Sequence, residues 1–213
     1  MTVTAQALTS GSDASDLSSY TIPSVSPSPN TLVVLVLAYE DATAAAAPTS
    51  VTGCGVSWEH VVSRVTFAGN NGVAIFVGRG PAVSGSLTVT FDSTQGYLAW
   101  SIVQFPGGRK TTNAFGAVGV ATTQIQTTFN AFFQSSNSAG LIGVWHFTHE
   151  GASALFGYTE LHDFTIDADD ALMTAWKILD QDDVGASWAT LSDAIIVGVE
   201  VAEDTNPVGL PIF

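Results

Sequence analysis

The chain has 213 residues, of which 46% are apolar and 11% are charged, and its formal net charge is −14. So many apolar residues with so few charges exclude intrinsic disorder. The acidic balance excludes binding to nucleic acid or to an anionic membrane surface, because both need positive charge on the protein. The longest apolar runs are far shorter than the ~18 residues of a membrane-spanning helix.

Cys54 is the single cysteine, so no disulfide framework can form within the chain. It lies between two turn glycines, and we expect a small, buried and unreactive side chain. No basic segment followed by an apolar stretch opens the sequence. We therefore expect no secretory signal and a cytoplasmic translation product.

Alternating apolar and β-branched residues predict strands along the whole chain. In chain order these strands span residues 2–8, 31–39, 61–67, 72–78, 86–91, 97–105, 115–120, 124–131, 140–147, 171–179 and 194–201. Residues 32–37 are apolar at every position, which is typical of a central strand covered on both faces. We predict an all-β fold, a two-sheet antiparallel β-sandwich of residues 1–202, followed by an extended C-terminal tail of residues 203–213.

The sequence contains none of the common catalytic motifs: no nucleophile elbow, phosphate loop, dinucleotide fingerprint or zinc-protease helix. We therefore predict that the protein is not an enzyme and has no cofactor. A pair of carboxylates that hydrolyses glycosides is the enzymatic alternative. His146 and His149 would lie on opposite faces of a strand, so they could share a metal only if Glu150 or His162 folded over them.

Nine of the nineteen acidic residues fall between positions 150 and 183. Asp167, Asp169 and Asp170 are candidates for a calcium loop, because this hard cation binds several oxygen ligands on a flexible turn. The order of ligands in an EF-hand is absent, since neither the glycine at position six nor the glutamate at position twelve follows. Solvated loops between strands are the favoured interpretation, and we predict no metal site.

Five tryptophans could stack on sugar rings. Trp100, Trp145 and Trp176 lie within predicted strands among apolar neighbours, so we expect them in the core. Trp188 follows Gly185-Ala186-Ser187 and should lie nearer a loop. It is the candidate for contact with a ligand.

Several predicted strands and turns form a series along the chain. It comprises the strand at 30–37, the turn at 53–58 and the strands at 73–79, 85–91 and 99–105, and it continues with 140–147, 157–159 and 194–201. This series resembles the jelly-roll-like β-sandwich module of tailed-phage virion proteins, of the minor tail, head-decoration or fibre-associated type. The resemblance implies a jelly-roll-like sandwich. The module carries no family-wide active site, so no functional residue is transferred from it.

The resemblance also implies a non-enzymatic virion structural protein, a capsid decoration or minor tail component assembled in the host cytoplasm. Its expected partners are other virion proteins, such as major capsid or tail proteins. The alternative is a host-surface adhesin of the virion that binds a host glycan. A structural subunit should bind capsids or tails, whereas an adhesin should bind host cells.

Two apolar features are candidates for an interface. Phe132 and Phe133 are adjacent, so on a strand they point to opposite faces and one leaves the sandwich. The tail adds Val208, Leu210, Ile212 and Phe213. We predict that these residues contact another subunit or the particle surface, giving a homo-oligomer, a lattice contact or both, because exposed apolar surface otherwise promotes aggregation. The alternative is a tail that folds back over its own sandwich.

Overall fold

The chain is built from β-strands in a computed structural model that describes residues 3–29, 31–41, 43–66, 68–106, 115–132, 136–147, 151–155, 157–167, 169–180 and 183–202. The strands in these ranges are β1 (Gln6–Asp13), β2 (Leu17–Val25), β3 (Leu32–Glu40), β4 (Ser50–Gly53), β5 (Ser57–Val65), β6 (Asn71–Arg79), β7 (Gly85–Gln95), β8 (Tyr97–Phe105), β9 (Phe115–Phe132), β10 (Ser136–His146), β11 (Ser153–Ala154), β12 (Thr159–Thr165), β13 (Ala171–Asp180) and β14 (Asp183–Val201). Across these ranges no helix is long and apolar enough to cross a membrane.

The strands form three antiparallel sheets. One has five strands in the order β1-β8-β3-β6-β5, and another has three in the order β2-β7-β4. The last has six strands, of which five follow the order β11-β14-β10-β13-β12 while β9 pairs with β14. The prediction of an all-β, antiparallel β-sandwich is confirmed, and the described strands form three packed sheets where two were predicted.

The five-stranded sheet lies between the other two sheets. On one face, Leu35 packs in a core with Leu87 of the three-stranded sheet. On the other face, Val36 packs in a core with Val197 of the six-stranded sheet. Because both faces are covered, all but one of the side chains of β3 are buried, as the apolar run in its sequence predicts. Burial of each such aliphatic side chain stabilises the fold by about 1.5–3 kcal/mol.

Strand pairing in the first half of the chain is nested. Strand β1 pairs with β8, β2 with β7 and β3 with β6. Nested pairs wound into two facing sheets make a jelly roll. The antiparallel pair of β1 and β8 in the five-stranded sheet continues as the pair of β2 and β7 in the three-stranded sheet. The change of sheet occurs where β1 leads into β2 and β7 leads into β8. The side chain of Tyr20 stabilises this corner, since its hydroxyl lies 2.7 Å from the carbonyl oxygen of Ser15 and 2.6 Å from that of Gln95.

Strand β14 belongs to two layers. Its last residues pair with β10 and its first residues pair with β11, and the register shifts between Ser187 and Ser192. Trp188, from the first part, packs with Ile142 and Met173 on the outer face of the six-stranded sheet. The first part of β14 therefore folds back over that face and covers it.

The sequence-based prediction missed β2, β4, β11, β12 and the first part of β14. In β2 the core receives Tyr20, Ile22 and Val25, while the intervening Ser, Thr and Pro residues are exposed. Such a strand has little apolar character of its own, and its pairing with β7 decides its structure. Conversely, the two strands predicted at 115–120 and 124–131 are one strand, β9.

Candidate functional site

Carboxylates meet at one end of the sandwich, where β3 ends and β13 begins. We call Glu40, Asp167, Asp169 and Asp170 the acidic junction. Burial raises the pKa of Asp170 to about 7, and the negative charges of Asp167, Glu40 and Asp169 add to this effect. Burial likewise raises the pKa of Glu40, to which Asp167, Asp16 and Asp41 contribute. The acidic junction therefore holds a carboxyl group that keeps its proton to a much higher pH than an ordinary aspartate does.

A hydrogen-bonded chain beside the acidic junction joins two sheets. The indole Nε1 of Trp145 in β10 donates to the hydroxyl of Tyr97 in β8 at 2.9 Å. That hydroxyl donates to Oδ1 of Asn71 in β6 at 3.1 Å. Asp170 is only 4% exposed, and its Oδ1 has no hydrogen-bond partner within the described part of the chain. An unpaired oxygen of this kind favours the neutral acid over the carboxylate.

The pKa of Asp41 is shifted in the opposite direction, although Asp41 follows Glu40 directly in the chain. Its Oδ1 accepts hydrogen bonds from the backbone N–H and the hydroxyl of Thr43, each at 2.8 Å. Its Oδ2 accepts one from the hydroxyl of Ser93 at 2.9 Å. The hydrogen bonds from Thr43 and Ser93 lower the pKa of Asp41 to about 2. Asp41 is thus ionised and serves to hold the loop after β3.

The calcium candidates lie near one another in the acidic junction, but they are not arranged as the ligands of one ion. Oδ1 of Asp167 accepts the backbone N–H groups of Asp169 and Asp170, at 2.8 Å and 3.0 Å, and so closes its own turn. No group of three or more His, Cys, Asp or Glu residues in the described ranges has the arrangement to hold a metal ion. The three aspartates share a loop, and the structure gives them no common ligand geometry.

A serine and a histidine approach each other across the core. The hydroxyl of Ser101 in β8 lies 2.7 Å from Nδ1 of His162 in β12 and 2.8 Å from the hydroxyl of Thr174 in β13. Burial lowers the pKa of His162, so the ring is kept neutral and can accept from Ser101. A nucleophile must reach its substrate, but Ser101 and Thr174 are fully buried. The arrangement links two sheets, and no sequence motif could have indicated it.

Trp188 does not lie near a loop, and that expectation is wrong. It lies within β14, is 5% exposed, and stacks on His146 with ring centroids 5.4 Å apart and planes 4° from parallel. Its Nε1 has no hydrogen-bond partner in the ranges described. The ring is therefore covered, and contact with a ligand stays a prediction that would require it to be uncovered.

The other sequence candidates have mixed outcomes. Trp100 and Trp145 are buried, and Trp176 packs against the core at its edge, so their placement in the core is confirmed. Cys54 is also buried, as predicted. Among the interface candidates, Phe132 ends β9, but its side chain lies outside the described residues, as do Phe133, Val208, Leu210, Ile212 and Phe213.

Comparisons with protein-family models, with curated proteins and with solved structures find no match to this chain. The role of the protein must therefore be inferred from its own residues and fold.

Proposed function

We propose that the protein is a non-enzymatic structural component of a bacteriophage virion, a capsid decoration or minor tail protein. The observation that carries this proposal is the architecture: antiparallel sheets stacked on a central sheet, with jelly-roll pairing of the strands. Jelly rolls are a recurrent fold of viral capsid proteins. The described part of the chain consists mainly of sheets and short connections, a form that suits an assembly subunit.

The outer face of the three-stranded sheet supports packing beside a neighbour. Its cross-strand rows are uncharged: Ser19, Thr90 and Ser50 form one row, and Thr21, Thr88 and Thr52 form the next. These side chains are exposed or half-buried. Burying hydroxyl groups against a protein partner avoids the large desolvation cost of burying charges.

Exposed apolar side chains supply further docking contacts. Leu17, Val83, Phe147 and Ile178 are between 42% and 55% exposed. They lie at or near the ends of strands, where the loops of the sandwich meet solvent. We propose that such apolar surface, together with the tail of residues 203–213, docks the protein on the particle.

Binding to particles tests this proposal. The purified protein should bind capsids or tails prepared without it, and a Val83→Ser, Phe147→Ser variant should bind them less well. A Thr52→Ser variant is the matched control, since it keeps the hydroxyl of the outer face. If the protein ignores particles and instead binds a glycan array or host cells, the adhesin alternative replaces the structural role.

A further inference from the structure

The two halves of the chain have the same strand order. In the first half, residues 3–106, the five-stranded sheet reads β1-β8-β3-β6-β5. In the second half, residues 115–202, the pairings give β9-β14-β10-β13-β12. The covering layers also agree, since β2-β7-β4 in the first half corresponds to the later part of β9, the first part of β14, and β11 in the second. The two halves thus have the same strand topology. We call residues 3–106 repeat 1 and residues 115–202 repeat 2.

The registers match residue by residue. Ala38 of β3 lies between Val73 of β6 and Ala99 of β8. The corresponding residue of β10 is Trp145, which lies between Leu172 of β13 and Ile195 of β14.

The tight turns are closed in the same way, although the turn of repeat 2 is one residue shorter. The N–H of Thr66 donates to the carbonyl of Asn71 at 2.9 Å, and the N–H of Ile166 donates to the carbonyl of Asp170 at 2.7 Å. Both turns join the last two strands at one edge of a five-stranded arrangement. A shared strand order alone could arise by convergence, but shared registers and turns indicate duplication.

The repeats face each other as the subunits of a twofold dimer would. Strand β1 packs beside β12, and the equivalent strands β9 and β5 also pack together. Strand β8 contacts β13, and β14 contacts β6. In an isologous interface every contact between i and j is repeated between j and i. The contacts of β1 with β12 and β9 with β5, and those of β8 with β13 and β14 with β6, obey this rule at the level of strands.

Equivalent residues meet on the axis. Val36 occupies the position in β3 that Gly143 occupies in β10, two residues before Ala38 and Trp145 respectively. A Cβ atom placed on Gly143 would lie too close to Cγ1 of Val36 for both to fit. At a twofold axis a residue meets its own counterpart, so a copy of repeat 1 would bring two valines into this contact. The glycine of repeat 2 makes the room that Val36 fills.

The flanking positions are complementary in the same sense. Val36 is paired with Ile75 and Ser101 in its sheet, and Gly143 with Thr174 and Val197 in its own. Across the interface the hydroxyls of Ser101 and Thr174 bond at 2.8 Å, while Ile75 and Val197 share the apolar core. In a pair of like repeats, Ser101 would face isoleucine and Thr174 would face valine. Both hydroxyls would then be buried without their present partner, which costs stability.

We propose that the chain is a duplicated jelly-roll unit fused into one polypeptide, and that the inner face of each repeat is an interface that fits the other repeat and rejects a copy of itself. Repeat 2 is thus matched to repeat 1 by the smaller residue at Gly143, which leaves room for Val36, and by the hydroxyl of Thr174, which bonds Ser101.

Exchange of the two axial residues in the full chain tests this proposal. Gly143→Val alone places two valines in a contact that has room for one, and Val36→Gly alone leaves the space between two glycines unfilled. Each single variant should therefore lower the melting temperature. The double variant, Val36→Gly with Gly143→Val, restores one of each. It should recover at least half of the summed loss, because the two positions are related by the axis.

Val56 and Gly78 provide a matched control within repeat 1. A Cβ atom on Gly78 would lie 2.6 Å from Cγ2 of Val56, so the same residue types are in the same close contact, but at positions that are not equivalent. Exchanging them should give no recovery. If Gly143→Val is insoluble, solubility of the axial double variant is the readout. The proposal is overturned if the axial exchange loses as much as the two single variants together, or recovers no more than the control exchange.

Discussion

Trp145 and Tyr97 join the two repeats through one hydrogen bond, from the indole Nε1 to the phenol oxygen at 2.9 Å. Both side chains are 1% exposed. Neither group has access to water, so both depend on hydrogen bonds within the protein: the indole on the phenol oxygen, and the phenol also on Oδ1 of Asn71. Like the cluster of Ser101, His162 and Thr174, this hydrogen bond places polar groups within the largely apolar interface between the repeats.

Replacing Tyr97 by phenylalanine should destabilise the protein. The change removes the phenol oxygen that accepts from Nε1 of Trp145 and the hydroxyl that donates to Asn71, which costs about 1–3 kcal/mol. Tyr39→Phe is the matched control, because the hydroxyl of Tyr39 is buried and has no hydrogen-bond partner among the described residues. Urea denaturation should show a clear loss for Tyr97→Phe and none for Tyr39→Phe. Equal effects of the two variants would contradict the role of this hydrogen bond.

The buried carboxyl of Asp170 should make stability fall as pH rises. Its pKa in the folded protein is about 7, above its ordinary value of 3.8, so the folded state holds the proton more tightly than the unfolded state. The stabilising contribution of Asp170 is full below about pH 4 and is lost progressively between pH 4 and 7.

Asp170→Asn isolates that effect from the other titrating groups. Asparagine is neutral at every pH, and the equivalent position of repeat 1 already carries Asn71. The variant should therefore be more stable than the parent at pH 8, and the difference should shrink towards pH 5. His162, whose pKa is lowered by burial, acts in the opposite direction below its ordinary value of 6.5 and is present in both proteins. A stability difference that does not change between pH 5 and 8 would refute this prediction.

Calcium should leave the melting temperature unchanged. Asp167, Asp169 and Asp170 form a turn closed by the carboxylate of Asp167, and the described residues offer no cluster arranged for a metal. Scanning calorimetry with millimolar calcium and with chelator should give superimposable transitions. A rise in melting temperature that saturates with calcium and disappears in Asp169→Asn would show that the loop binds the ion.

Trp188 should tolerate phenylalanine better than alanine. Its Nε1 makes no hydrogen bond within the described part of the chain, so Trp188→Phe keeps most of the contact with His146 and loses no polar partner. Trp188→Ala leaves a cavity over the outer face of the six-stranded sheet, at a cost of about 3–5 kcal/mol. Chemical denaturation of both variants measures which substitution loses more stability. A larger loss of stability for Trp188→Phe than for Trp188→Ala would contradict the placement of the ring.

Deleting residues 206–213 tests whether the tail is an anchor. This segment contains Val208, Leu210, Ile212 and Phe213, and we expect its loss to reduce oligomeric mass, incorporation into particles or both. Light scattering and particle binding measure the two effects, and an unchanged thermal transition shows that the sandwich is intact. A folded truncation that assembles and incorporates normally would favour a tail that has no anchoring role.

The sequence by itself determined the class of fold and its most buried strand. Continuous apolar residues in β3 require cover on both faces, and turn residues at short spacing favour antiparallel strands, because these signals are local and repeat along the chain. Only the tertiary structure decided that Trp188 is covered, that Asp170 is buried beside Glu40, and that Ser101 meets His162. These relationships join residues far apart in the chain, and they depend on the fold-back of β14 and on the packing of one repeat against the other. No local pattern encodes which distant strand lies opposite. The acidic junction and the contact between Val36 and Gly143 therefore form only when the five-stranded and six-stranded sheets are packed together.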